Sequence, residues 1–396
     1  MMNAAAGIFL ASRRKPRVPY DAELEYLEST GTQWIDTGVV PTNTTGVLIE
    51  CTVPTNNSRD NIVVGARQSS GGTRYWIDFD WSTYDTFYFG FGFLTPRADN
   101  SLRQYEGERV QVGMNYQNGR ICTVNGEKFS DLPISGSLPT ITKSIYCFRA
   151  NYSNPYTYSG KIFSLKITDG LTLVRDFIPV RVGTVGYLYD RVSKRLFGNA
   201  GTGDFVLGQD VVPVEYILQT GTQYIDTLYP MADTRREVIT VDWSGHSTTY
   251  REFMAGAASG SYLIEMSPTG YYGTAPTNLS SIQVSQKDRI RWDYTVGSRP
   301  SLYINDVFAI NDTLVRVPTG NVMTGGVGRP GENFPKMKIY GLDVFTDADE
   351  QVRKMRPVRV GTDATSWDGA MMDVLTRRVY RNAGTGAFTI GPDKAA

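Results

Sequence analysis

Glu25-Tyr-Leu-Glu-Ser-Thr-Gly-Thr-Gln-Trp-Ile-Asp36-Thr37 returns later in the chain as Glu215-Tyr-Ile-Leu-Gln-Thr-Gly-Thr-Gln-Tyr-Ile-Asp226-Thr227. Two more motifs recur in the same order. Pro179-Val-Arg-Val-Gly-Thr184 becomes Pro357-Val-Arg-Val-Gly-Thr362, and Asn199-Ala-Gly-Thr-Gly203 becomes Asn382-Ala-Gly-Thr-Gly386. The period is far too long for a solenoid unit, and each copy has the length of an ordinary domain with its own core. The chain therefore reads as a tandem duplication. Residues 1–22 form an N-terminal arm, 23–208 a first domain, 209–213 a linker, 214–392 a second domain and 393–396 a tail.

Between the strong ends the copies stay collinear. Tyr75-Trp-Ile-Asp78 matches Tyr262-Leu-Ile-Glu265, and Phe87-Tyr-Phe-Gly90 matches Gly270-Tyr-Tyr-Gly273. Val124-Asn-Gly126 matches Ile304-Asn-Asp306, and Lys161-Ile-Phe-Ser-Leu-Lys-Ile167 matches Lys338-Ile-Tyr-Gly-Leu-Asp-Val344. The spacing drifts by a few residues between matches, which loops tolerate and strands do not. Ile162 to Thr168 is rich in β-branched residues, and Phe87, Phe89, Phe91 and Phe93 alternate with small residues and a tyrosine, as one face of a strand does. Asn125-Gly126 and Asn305-Asp306 sit between apolar runs, the pattern of two-residue hairpin turns. No helical period is sustained. The fold class predicted is all-β, with two tandem jelly-roll sandwiches.

Glu25 to Gly38, the central Val124-Asn-Gly126 and Leu302-Tyr-Ile-Asn305, and the closing Tyr189-Asp190 and Asn199 to Phe205 resemble laminin-G-like, concanavalin A-like domains. Such domains occur in surface proteins of gut bacteria and in structural proteins of tailed phages. The resemblance covers nearly the whole chain beyond residue 23. It implies a jelly-roll fold and a role in carbohydrate binding or attachment.

Composition removes several classes. Lys plus Arg (40) balances Asp plus Glu (40), without the basic surplus of a nucleic-acid binder. No apolar run has the length of a membrane span. Ala4 to Ala11 is apolar but is followed by Arg13-Arg-Lys15, the reverse of a signal peptide, so the arm is expected to dock on a partner. Cys51, Cys122 and Cys147 all fall in the first copy, an odd set with no shared framework, which points to reduced thiols and assembly in a host cytoplasm.

The motifs for catalysis are incomplete. The one histidine, His246, lies in a loop-like run. A retaining glycosidase needs two carboxylates about 5 Å apart. Trp76-Ile-Asp78-Phe-Asp80 carries Trp76 where the related pattern has its first glutamate, and no enzyme is expected. Calcium is a weak option: Asp347, Asp349 and Glu350, or Asp78, Asp80 and Asp85, supply oxygens without a known loop spacing. The binding candidates are aromatic. Trp76, Trp81, Tyr84 and Tyr88 gather in one hairpin region, and Tyr152, Tyr156 and Tyr158 mark a Ser/Asn/Pro loop. Flat rings stack on sugars, though they also fill cores and interfaces. Gln33, Trp34, Asp36 and Asn199 read instead as closing residues, where the ends of each copy pair.

Together these features predict a non-enzymatic phage virion protein, on the tail or capsid surface. It would dock to other virion proteins through its arm, form a homo-oligomer and read host glycans. The alternatives are a bacterial surface adhesin or sugar-binding protein, and then a glycoside hydrolase.

Overall fold

The computed structural model describes residues 18–394 apart from segments 56–59, 69–71, 82–84, 93–100, 116–120, 130–139, 153–155, 231–235, 244, 246–251, 257–262, 275–277, 295–298, 313–319, 325–335, 347 and 363–365. The described residues are all-β but for one short 3-10 turn, Arg103–Tyr105. Each half is a sandwich. In the first, Val47 and Ile49 of one sheet meet Tyr75, Ile77 and Phe89 of the other in a single buried core. In the second, Ile239 and Val241 meet Ile264 and Tyr272 in the same way.

Corresponding strands make corresponding pairs. Leu27–Thr30 lies between Ser159–Asp169 and Val206–Leu207, and Ile217–Gln219 lies between Met337–Phe345 and Thr389–Ile390. Thr45–Thr52 and Arg236–Asp242 each take a long strand on one side and a hairpin on the other. The two hairpin turns have positive φ at both central residues: 53° and 84° at Asn125 and Gly126, and 51° and 64° at Asn305 and Asp306. That is the type I′ geometry whose twist matches the strands. Phe87, Phe89 and Phe91 all face the core, and Phe93 lies outside the described residues.

The segment read as a linker is itself a strand. Asp210–Pro213 pairs with Ala22–Leu24 on one edge and with Gln351–Gly361 on the other. One sheet therefore runs through both halves. Charges reinforce the seam: Arg377, 7% exposed, pairs with Glu23 at 2.7 Å, and Arg381 pairs with Glu25 at 2.9 Å. Residues 1–17 of the arm lie outside the described residues. Its last residue, Ala22, belongs to the first strand, and Tyr20 packs edge-on against Tyr189 at 5.0 Å.

At one core position the second half carries a carboxyl where the first has an apolar side chain. Glu237 stands in register between Trp292 and Val344, where the first half places Val47 between Met114 and Ile167. Its side chain is 5% exposed, and Oε2 has no hydrogen-bond partner. Burial pushes its pKa from 4.5 up to about 8, so the folded protein keeps this carboxyl protonated at neutral pH. Between those two values the folded chain holds a proton that the unfolded chain releases. Stability is thus highest below the lower value and falls by ~1.4 kcal/mol per unit as pH rises toward the upper one. Glu237→Gln is expected to remove that slope, so that wild type loses Tm relative to the variant between pH 5 and pH 8. Parallel Tm profiles for the two proteins would contradict a buried, protonated Glu237.

Candidate functional site

Strand alternation sorts the first half's aromatic residues into two sets. On Arg74–Asp80, residues Tyr75, Ile77 and Phe79 enter the core, so Arg74, Trp76, Asp78 and Asp80 take the opposite, outer face of the smaller sheet. On Thr86–Gly92 the same logic turns Tyr88 and Gly90 outward. Cross-strand register then draws a row over five strands: Asp36, Tyr146, Gly65, Trp76 and Gly90. The two glycines are required by the indole between them. A Cβ at Gly65 would lie 2.6 Å from Trp76 Cβ, and one at Gly90 would lie 2.8 Å from Trp76 Nε1.

Trp76 is the floor of a cluster. It is 4% exposed and packs with Ile62 and Ala150 under the half-buried Tyr88, Tyr152 and Tyr156. Tyr88 and Tyr156 lie 6.5 and 6.4 Å from its ring centre, and Tyr152 and Tyr156 are nearly parallel at 9°. Cations cover the rings. The Arg67 guanidinium sits 5.4 Å from Trp76 and 4.7 Å from Tyr152, Arg74 is 5.0 Å from Trp76, and Lys143 is 5.8 Å from Tyr152. Each such contact holds a charge against a π face without removing its hydrogen-bonding capacity. Asp78 and Asp80, 2% and 8% exposed, add buried carboxylates to the same face.

A second aromatic station adjoins the first. Trp34 and Tyr146 stack at 4.2 Å with an interplanar angle of 24°, and Arg149 lies over Trp34 at 5.1 Å. Arg149 Nη2 also donates to the Tyr152 carbonyl at 3.2 Å, joining the stations. Sequence reasoning missed this pair because Trp34 belongs to the closing motif. Its backbone does close the half: the Trp34 N–H donates to Asn199 Oδ1 at 3.1 Å, and Gln33 Nε2 donates to the Asp204 carbonyl at 3.0 Å. The side chain is half-buried on the outer face, where the alternation with buried Ile35 puts it.

The remaining expected binding residues lie elsewhere. Trp81 is 5% exposed in the core, and Tyr158 is fully buried with its hydroxyl donating to the Thr52 carbonyl at 2.6 Å. Tyr84 and His246 lie outside the described residues. Of the acidic groups weighed for calcium, Asp85 pairs with Arg103 and Asp349 with Arg236, and Asp347 lies outside the described residues. Among the described residues no group of three or more His, Cys, Asp and Glu is placed to hold a metal.

The second half keeps the register of the row with other side chains. Asp226, Met323, Gly256 and Leu263 hold the positions of Asp36, Tyr146, Gly65 and Trp76. The acid and the glycine are shared, and both aromatic positions have become aliphatic.

No family model matches the chain, and no curated protein matches it. Among solved structures it is similar to domains LG4-5 of the mouse laminin alpha1 chain, at 11% identity over 97% of each chain with a TM-score of 0.31. It is similar also to a Bacteroides ovatus protein put forward as carbohydrate binding, at 8% identity over 96% of this chain and 95% of that one, with a TM-score of 0.33. The LG1-3 region of the laminin alpha2 chain gives 11% identity over 94% of this chain and 66% of that one, with a TM-score of 0.26. At these scores none of the three assigns a function. No helix among the described residues is long and apolar enough to cross a membrane.

The site geometry makes a stability prediction. Gly65→Ala forces the Trp76 side chain off its seat, and overpacking of this kind costs about 1–3 kcal/mol. Chemical denaturation followed by tryptophan emission is expected to show that loss. A variant as stable as wild type would mean that Trp76 is not held against the sheet at Gly65.

Proposed function

We propose that the chain is a non-enzymatic carbohydrate-binding protein, built by duplication of one sandwich, whose first half carries the binding face. One observation supports this most: half-buried rings at Trp34, Tyr146, Tyr88, Tyr152 and Tyr156 share one sheet face with guanidinium groups and buried carboxylates. Sugars present apolar ring faces for stacking and hydroxyls that need both donors and acceptors. An interface for protein alone has less use for buried Asp78 and Asp80, since interface cores are depleted in carboxylates. The second half, with Met323 and Leu263 in register, serves as a rigid partner through the shared sheet.

The setting we propose is the surface of a phage particle assembled in a reducing cytoplasm, with the arm as the docking segment to other virion proteins and the protein present as a homo-oligomer. Cys51, Cys122 and Cys147 support the compartment, because all three are buried and unpaired, and burial pushes the Cys122 thiol up to about 12. Deletion of residues 2–17 is the matching test: incorporation into purified particles should be lost while both halves still fold.

A glycan array tests the function itself. Wild type is expected to give hits that weaken roughly tenfold or more in Tyr88→Ala or Tyr152→Ala, as losing a stacked ring does. An array without hits overturns the reading. Release of reducing sugar from a hit, abolished in Asp78→Asn or Asp80→Asn, would replace binding with hydrolysis.

A further inference from the structure

Duplication makes the first half a template for what the second half lacks. On the outer face of the first half's larger sheet, the second half seats a turn, residues 373–378. Arg109 Nη2 donates to the Thr376 carbonyl at 3.1 Å. Arg381, just beyond the turn, reaches Glu25 at 2.9 Å and Gln209 Oε1 at 2.8 Å. The second half carries the same receiving face. Lys287 matches Arg109, since each stands two residues before the one whose carbonyl accepts the hairpin asparagine N–H, Arg289 or Gln111. Lys287 covers the Tyr340 ring at 4.7 Å as Arg109 covers Phe163 at 3.8 Å. Tyr216 meets Tyr340 edge-on as Tyr26 meets Phe163, and Glu215 repeats Glu25. Among the described residues, however, no turn is seated there. A cavity of about 320 Å³ opens instead beside Tyr340 and Gly341, with Glu215 and Lys287 exposed at its wall.

From this we infer that the open face of the second half receives a second copy of the chain, through residues 190–195, the first half's counterpart of the seated turn. The two turns are built alike. Lys194 and Arg377 have positive φ, 60° and 65°, and each donates its N–H to the carbonyl of the leading aspartate, Asp190 or Asp373. Ser193 stands where Thr376 does, so its carbonyl is the one that meets Lys287. Charge fits as well. Lys194 and Arg195 are exposed on the turn, Glu215 is exposed at the cavity, and among the described residues none of the three enters an ion pair. Two pairs of the seam are not repeated, because Pro213 replaces Glu23 and Gly198 replaces Arg381. The cation for Glu215 therefore comes from the turn itself, and the contact between copies is weaker than the one within the chain. A face meets a different face, so the assembly is head-to-tail and forms a ring or a filament rather than a two-fold dimer. The inference rests on the homo-oligomer reading and names its surfaces.

Sedimentation velocity of the full chain over a concentration series tests the contact. Wild type is expected to sediment as species larger than a monomer, and less so as salt rises. Glu215→Lys sets like charges together at the cavity, and the double variant Lys194→Glu/Arg195→Glu does so at the turn. Each should weaken self-association about a hundredfold or more. Combined in one chain, the three substitutions reverse both sides of the contact and should restore assembly. The side chains replaced are all exposed, and unchanged far-ultraviolet circular dichroism would show the variants folded. Failure of the combined chain to regain assembly separates the turn from the cavity and overturns the contact. Oligomers that persist in both one-sided variants also overturn it, while leaving the homo-oligomer reading intact. Wild type that sediments as a monomer throughout removes both.

Discussion

Asn199 Oδ1 accepts the backbone N–H of Trp34 at 3.1 Å and that of Gly201 at 2.8 Å, while Asn199 Nδ2 donates to the Gly203 carbonyl at 2.6 Å. One amide thus satisfies three backbone groups where the first and last segments of the half meet, and it does so where no strand ladder reaches. Asn382 repeats the arrangement with Tyr224, Gly384 and Gly386. The approach is so close that a Cβ at Gly201 would fall 2.0 Å from the Thr32 carbonyl oxygen, and one at Gly384 would fall 1.9 Å from that of Thr222. Only glycine fits. Everything else in each half hangs on this joint, because it fixes the edge from which the smaller sheet is laid out.

The same joint explains what was legible in the sequence. Residues that satisfy backbone in a crowded seam have few substitutes, so Gly-Thr-Gln-(Trp/Tyr)-Ile-Asp-Thr and Asn-Ala-Gly-Thr-Gly stand out when the chain is compared with itself. The Phe87–Phe91 alternation and the Asn125-Gly126 turn were legible because each is a local signal, period two for a strand and positive φ for a turn. The site was only partly so. Trp76 and Trp81 are neighbours in sequence, but Trp76 lies on the outer face of Arg74–Asp80, while Trp81 follows the strand's end and turns into the core. Tyr158 is hidden by a different cause: it lies just ahead of the strand Ser159–Asp169, where no period yet says which way a ring turns. Trp34 was concealed by its backbone role, since a closing motif gives no sign that its side chain also serves the outer face.

Glu237 shows the limit from the other direction. Aligned with the first half, it falls where Val47 lies, and nothing in its neighbours' sequence marks it as buried. Only the pairing with Trp292 and Val344 shows a carboxyl facing the core. A charged group there would be prohibitive, so the proton stays on, and the second half carries a titration that the first does not.

Divergence between the halves is therefore informative in proportion to where it falls. Gly65 and Gly256 share a register position, and each is flanked by the same acid at the sheet edge, Asp36 or Asp226. The backbone register of the two small sheets is thus shared at this position. In the first half the neighbouring position holds an indole, with the rings above it and the guanidinium groups that cover them. The second half has Leu263 at the indole's position and Met323 at that of Tyr146. Neither aliphatic residue supplies a π face for a cation or an N–H for an oxygen. Core residues exchange among apolar types at little cost, so the change at these register positions is tolerated by the sheet. In the first half, cations and rings occur together on one face, Arg67 and Arg74 over Trp76 and Arg149 over Trp34.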